Sequence, residues 1–238
     1  MALEGRNKQI ALTVAVMLVV AFVTSGAWMM SKKSSGLDGA VAELRALPLI
    51  GAVMAEVPGT EARLRAAIEE EERSPTRQGP NRAFIVIADL RKNYISPALA
   101  AADDASADAV MTARSELAHH LQQANLPACR EFSTTGIQHT DKLDPEGQRL
   151  FRNVLLAMEA AYRNGRTAGA QPRPVANDQG FVAMLSEAGF TPVDFQKLGD
   201  SLKLSDAELC ALQLRMDAAP ASLAADNRGA FARYVLTH

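Results

Sequence analysis

The sequence predicts an all-α protein, with one N-terminal transmembrane helix followed by a multi-helix exported domain. The first observation behind this prediction is the composition: alanine occurs 43 times in 238 residues, and aromatic residues make up only 5%. This composition favours helices with small, close-packed faces over sheets of β-branched and aromatic side chains. The second observation is a run of 21 residues without a charged side chain, Ile10 to Met30.

The apolar run is long enough to span a bilayer. As an α-helix it would be roughly 32 Å long, which matches a hydrocarbon core of about 30 Å. We therefore predict a short tail at 1–9 and a signal-anchor helix at 10–31. The alternative is a cleaved signal peptide, because Ser25 and Ala27 offer a small-residue cleavage pattern. Retention is favoured because the run continues past this pattern and carries Trp28 at the expected interfacial depth.

The flanks of the run leave its orientation almost balanced. Two Lys or Arg residues lie on each side of it, so the positive-inside bias does not decide which end is cytoplasmic. The short N-terminal tail favours an N-in, C-out arrangement. We therefore expect a single-pass protein of a bacterial-type inner membrane, with its C-terminal domain on the extracytoplasmic side.

The cysteines bear on the same question. The chain has two, Cys129 and Cys210, with no CxxC or Cys/His pattern of the metal or redox type. Two lone cysteines in an exported domain suggest one disulfide. Closing so long a loop would contribute roughly 4 kcal/mol through the entropy of the unfolded chain. The alternative is two separate buried thiols.

Two helices are predicted soon after the anchor. Residues 47–57 are apolar, and Pro48 suits the first turn of a helix, so we expect a core helix there. The alternative is a segment that lies on the bilayer or contacts a partner's transmembrane segment, since the stretch is too short to span. Residues 61–73 carry two Glu/Arg pairs at the i,i+4 spacing, which predicts a solvated amphipathic helix.

The next two helices follow a break in the pattern. Phe84 to Ala88 has a strand-like composition, but a helical period continues to Tyr94 and the sequence offers no second strand to pair with it. We therefore expect a helix. Another helix is predicted from Asp104 or Ser106 to Gln123, because its apolar residues fall on one face.

Capping signals mark three helix starts farther along the chain. Residues 144–146 combine a capping Asp, a first-turn Pro and a Glu, and the Thr-Pro-Val-Asp stretch at 191–194 repeats this logic. Residues 205–208 form a capping box. We expect the first of these helices to run to about Arg163 and to end at Asn164-Gly165.

The clearest internal boundary lies between two helical regions. Glycines and prolines interrupt the periodic pattern there, so we predict a main helical body at 37–165, a linker at 166–176 and a smaller C-terminal helical unit at 177–238. A disulfide between Cys129 and Cys210 would join the two units.

Composition and motifs exclude several functions. A net charge of −2 and a pI near 6 give no electrostatic footprint for nucleic acid, so we expect no nucleic-acid partner. The sequence has no GxSxG nucleophile elbow, no GxxxxGK[ST] phosphate loop and no HExxH zinc motif. We therefore favour a role other than catalysis, and expect neither a cofactor nor a metal.

The weak catalytic candidates are Glu116, His120 and His139. Glu116 and His120 lie on one helical edge at the i,i+4 spacing, where a carboxylate and an imidazole could begin a metal site or an acid/base pair. A third ligand would have to come from elsewhere, such as His139 or Asp141. Residues 129–141 also place a cysteine, three hydroxyls and this histidine in what we expect to be one loop, although a structural cysteine is the simpler interpretation.

Function therefore follows mainly from the membrane segment. We expect an envelope protein, anchored through Ile10 to Met30, whose helical domain binds or scaffolds a protein partner in the membrane or envelope. One alternative is an extracytoplasmic hydrolase or metal-dependent enzyme that uses Glu116, His120 and His139. Another is a soluble periplasmic binding protein released by signal-peptide cleavage.

Overall fold

The computed structural model describes residues 36–75, 82–137, 139–167 and 173–238. In these ranges the regular structure is entirely helical, which confirms the all-α class. The tail and the signal-anchor helix predicted at 1–31 lie outside the described residues. Within the described ranges, no helix combines the length and hydropathy that a membrane crossing needs.

Four helices form the N-terminal part of the described fold: α1 (Leu37–Ala46), α2 (Pro48–Glu56), α3 (Thr60–Arg73) and α4 (Arg82–Leu90). The core helix predicted at Pro48 and the charged helix at 61–73 are both confirmed, as is the helical state of Phe84 to Ala88. Side chains of these helices enclose a small hydrophobic cluster of Ala40, Val41, Leu44, Ile50, Leu64, Ile68, Ala83 and Ile87.

The middle of the chain supplies the longest helices. Helix α4 continues through a π-helical turn, Arg91–Ile95, into α5 (Ser96–Ala101), followed by α6 (Asp104–Ala124), α7 (Leu126–Thr134) and α8 (Pro145–Arg166). The carboxylate of Asp103 accepts a hydrogen bond from the Ser106 N–H, which caps α6. The predicted cap at the start of α8 is confirmed, because Asp144 accepts a 2.7 Å hydrogen bond from the Gly147 N–H.

Four shorter helices follow: α9 (Asp178–Glu187), α10 (Pro192–Gly199), α11 (Asp206–Ala218) and α12 (Ala225–Thr237). Capping boxes begin α10 at Thr191 and α11 at Ser205, as the sequence predicts. In each, the hydroxyl accepts from the third helical N–H while the acidic residue at that position accepts from the N-cap N–H, which satisfies two groups that would otherwise lack partners.

Helix α6 lies at the centre of the main core. Helices α7, α8, α11 and α12 all pack against it, and α12 also packs on α5. The side chains from Phe231 to Leu236 are buried on every side of α12. The predicted division into a body at 37–165 and a unit at 177–238 stays a prediction, but helices from both ranges contribute to one hydrophobic core.

A disulfide joins Cys129 on α7 to Cys210 on α11, which confirms the predicted pairing over two separate thiols. Their Cα atoms lie 5.6 Å apart, within the usual range for a disulfide. Both residues are fully buried. The two helices that flank α6 on this side are therefore covalently held together.

A buried ion pair also connects helices distant in sequence. Arg114 on α6 donates from Nε to Asp217 Oδ1 on α11 at 2.8 Å, and neither side chain has any solvent exposure. Gln213 donates to the other carboxylate oxygen at 2.8 Å, and the Arg114 guanidinium lies over the Phe132 ring of α7. Three helices thus meet at one fully desolvated polar group.

Gly165 departs from its expected role as a helix end. Helix α8 continues to Arg166, and Gly165 lies inside it, pressed against α5. A Cβ atom at this position would lie 1.8 Å from the Ala98 carbonyl oxygen, so only glycine allows the two helices to approach this closely. The residue marks a close backbone contact rather than a terminator.

We expect Gly165→Ala to lower the free energy of unfolding by about 3 kcal/mol, because the new methyl group collides with backbone that cannot move independently of α5. Chemical denaturation measures the change. Gly199→Ala is the matched control: its Cβ would meet no atom within 4 Å, so we expect a change of less than about 1 kcal/mol. Equal effects of the two variants would contradict the close contact.

Candidate functional site

A groove of about 600 Å³ lies beside the N-terminal half of α8. Its other sides are the junction of α1 with α2 and the short 3₁₀ turn Thr140–Lys142, which belongs to the connection between α7 and α8. The lining residues are Leu47, Pro48, Thr140, Asp141, Pro145, Gln148, Arg149, Phe151, Arg152 and Leu155. The volume is within the range of small-molecule and peptide sites.

The floor of the groove is apolar. Phe151 and Leu155 lie one turn apart on α8, and each retains only 7–8% of its surface exposed. Leu47 and Pro48, both half-buried, face them from the start of α2. Proline suits the first turn of a helix because that position needs no N–H donor. Pro48 therefore favours a helix start at this point, which leaves Leu47 at the junction beside the groove.

Charged side chains form the rim. Arg149 and Arg152 are exposed and lie nearly one turn apart on α8, while Asp141 is exposed on the 3₁₀ turn that precedes this helix. Glu146 binds the Arg149 guanidinium through two hydrogen bonds, of 2.8 and 2.6 Å, and so raises the pKa of Arg149 and lowers its own. Arg152 makes no ion pair with any residue in the described ranges.

Two histidine–carboxylate contacts hold the connection that forms one wall of the groove. Asp144 Oδ1 lies 2.8 Å from His120 Nε2 on α6, and His139 Nδ1 lies 2.9 Å from Glu131 Oε1 on α7. The Gly147 N–H, and after it the His120 ring, lower the pKa of Asp144. Residues 139–144 are therefore attached to both α6 and α7.

The structure distributes the three catalytic candidates over separate contacts. His120 and His139 bind different carboxylates. Glu116 is exposed on α6, where its charge contributes to raising the pKa of Arg149. None of the three lines the groove. In the described part of the chain, no group of three or more His, Cys, Asp or Glu residues is arranged to hold a metal ion.

The loop expected at 129–141 is partly helical. Residues 129–134 belong to α7, and the Ser133 hydroxyl donates to the Cys129 carbonyl within it. Cys129 is bonded to Cys210 and therefore has no thiol to act as a nucleophile. The interpretation as a loop is thus wrong for residues 129–134, and Cys129 is a structural residue held in a disulfide.

The groove itself was not evident from the sequence. A signal was present in α8, where Arg149 and Arg152 border the apolar stripe that contains Phe151 and Leu155. Such a stripe predicts only that a helix face is buried. The depression depends on where residues 47–48 and 140–141 meet that face, and this is a tertiary feature.

We expect His120→Ala to lower the free energy of unfolding by about 1 kcal/mol, because it removes a half-buried contact between α6 and the cap of α8. Glu116→Ala, one turn earlier and exposed, should change it by less than about 0.5 kcal/mol. Denaturant titration of both variants measures the difference. Loss of a cellular phenotype in both, with wild-type stability in both, would instead support the enzyme hypothesis.

The chain matches no protein-family model, no curated protein and no solved structure. Its function must therefore be inferred from the geometry of the groove, the disulfide and the apolar run.

Proposed function

We propose that the chain is a single-pass, membrane-anchored envelope protein whose helical extracytoplasmic domain binds or scaffolds a protein partner. The observation that carries the proposal is the buried disulfide between Cys129 and Cys210. Disulfides of this kind persist in oxidising compartments and are rare in a reducing cytosol. The disulfide therefore supports the N-in, C-out orientation that the flanking charges leave balanced.

The run from Ile10 to Met30 supplies the anchor in this proposal. Residues 31–36 connect the run to α1, and six residues reach at most about 22 Å. The domain would therefore stay close to the bilayer surface. Proteins of the same membrane are the partners most easily within its reach.

The groove supports binding rather than catalysis. It combines an apolar floor with a few charged groups at the rim, as recognition sites commonly do. Glu116, His120 and His139 lie outside its lining, and each histidine already contacts a carboxylate. These contacts attach the connection between α7 and α8 to α6 and α7, so the positions of the two histidines are explained without a reaction.

Reporter fusions test the membrane arrangement. Alkaline phosphatase, which is active only after export, should be active when fused after His238 of the full chain. A fluorescent protein that matures only in the cytosol should be dark at the same position. After denaturation of the membranes without a reductant, neither cysteine should react with a thiol reagent. Reversed reporter activities, or two reactive thiols, would overturn the proposed orientation.

Purification of the full chain from membranes in mild detergent tests the binding role. We expect a stoichiometric protein companion, identified by mass spectrometry. Intact mass of the purified chain separates the anchored form from the cleaved one, because cleavage after Ala27 would leave Trp28 as the new N-terminus. A full-length chain that is monomeric and has no companion would remove the support for scaffolding.

A further inference from the structure

We propose that the groove beside α8 binds an extended peptide segment of the partner, with apolar side chains on its floor and an acidic side chain at Arg152. This inference rests on the proposed binding function and specifies the chemistry of the segment that is bound. Three features of the groove support it: its length, its apolar floor and the uneven distribution of charge along its rim.

The length of the groove fits a short segment. Its lining on α8 runs from Pro145 to Leu155, a rise of about 15 Å at 1.5 Å per residue. An extended peptide covers this distance with about four to five residues at 3.3 Å each. Phe151 and Leu155 on one side and Leu47 on the other offer an apolar floor to alternate side chains of such a segment.

The charges at the rim indicate which charged side chain the bound segment would carry. Glu146 already occupies the Arg149 guanidinium, whereas Arg152 has no ion pair in the described ranges. A guanidinium binds a carboxylate through two parallel hydrogen bonds, which fixes its orientation as well as adding attraction. An Asp or Glu of the bound segment therefore belongs at Arg152.

The position of Asp141 gives the segment a direction. Asp141 lies on the 3₁₀ turn Thr140–Lys142, which precedes α8, and would repel an acidic side chain placed near it. One acidic group is thus favoured near Arg152 and disfavoured near the 3₁₀ turn. The negative charges of Asp141 and Glu146 balance the positive charges of Arg149 and Arg152, so these four residues offer no net positive charge to an anionic lipid surface. A peptide with a single acidic residue among apolar residues can place its carboxylate at Arg152 and keep it away from Asp141.

A displayed library of random heptapeptides, selected on the full chain in detergent, tests this inference. We expect enriched peptides to share apolar residues and one Asp or Glu at a fixed spacing. Arg152→Glu should weaken their binding at least about tenfold, since it places like charges together. Exchanging the acidic residue of the peptide for Lys should restore binding to this variant. Lys92→Glu, an exposed charge reversal away from the groove, should have no effect.

Arg152 is exposed, so its replacement should leave the fold intact, and the circular dichroism of the variant checks this. Failure to enrich any peptide, or equal binding to wild type and Arg152→Glu, would overturn the inference. Arg152-dependent binding to vesicles of anionic lipid would also overturn it in favour of a membrane surface. If a protein companion still co-purifies in any of these cases, the proposed function survives and only the groove assignment fails.

Discussion

Removing the disulfide is expected to lower the free energy of unfolding by about 4 kcal/mol. The cysteines are 81 residues apart in sequence, and a cross-link that closes so long a loop removes much of the freedom of the unfolded chain. Because both cysteines are buried, Cys129→Ala/Cys210→Ala also loses some packing between α7 and α11. A loss of this size is a large part of the 5–15 kcal/mol that typically stabilises a domain.

Denaturant titration of the oxidised wild type, the reduced wild type and the double alanine variant tests this prediction. The reduced protein is the matched control, because it keeps both sulfur atoms and lacks only the bond. We expect the reduced wild type and the double variant to be similarly destabilised. If the oxidised protein is no more stable than either of them, the cross-link does not contribute as proposed.

Asp217→Asn is expected to destabilise the protein by about 3–5 kcal/mol. The substitution keeps the shape of the side chain but leaves the Arg114 charge buried without its counter-charge, which is the costly way to break a desolvated pair. Arg91 adds to the cost, because it is also buried and burial, with the Arg114 charge, lowers its pKa to about 10. A second buried arginine therefore lies close enough to Arg114 for the two positive charges to interact.

A double-mutant cycle separates the pair from its surroundings. Arg114→Met/Asp217→Leu removes both charges together and should cost less than Asp217→Asn alone, since no unpaired charge remains. Asp108→Asn, on α6 with Arg114, is the control, and we expect it to change the free energy of unfolding by no more than about 0.5 kcal/mol. If the destabilisation of the double variant equals the sum of those of Arg114→Met and Asp217→Leu measured singly, the two side chains do not interact.

Local signals in the sequence predicted much of the helical framework. The caps at Asp144, Thr191 and Ser205 were predictable because a capping residue and its partner lie within four residues of one another. The pairing of Cys129 with Cys210 was predictable for a different reason, since the chain contains only two cysteines. These predictions needed no knowledge of how the helices pack.

Features set by packing were not predictable. Helix α12 has buried residues on all its faces, so it lacks the one-sided apolar stripe that identifies an amphipathic helix. Gly165 was read as a helix end because glycine usually signals one, whereas its role depends on a contact with Ala98, 67 positions earlier. The groove likewise depends on two distant segments that meet at α8.

The burial of α12 has a consequence for the order of assembly. This helix follows every other described helix in the chain, yet its side chains fill the centre that α5 and α6 enclose, and Arg233 donates to the Ala102 carbonyl across 131 residues. A growing chain that has reached only residue 224 therefore has an open core. Completion of this core must therefore wait until synthesis has passed α12, which supplies the side chains that fill it.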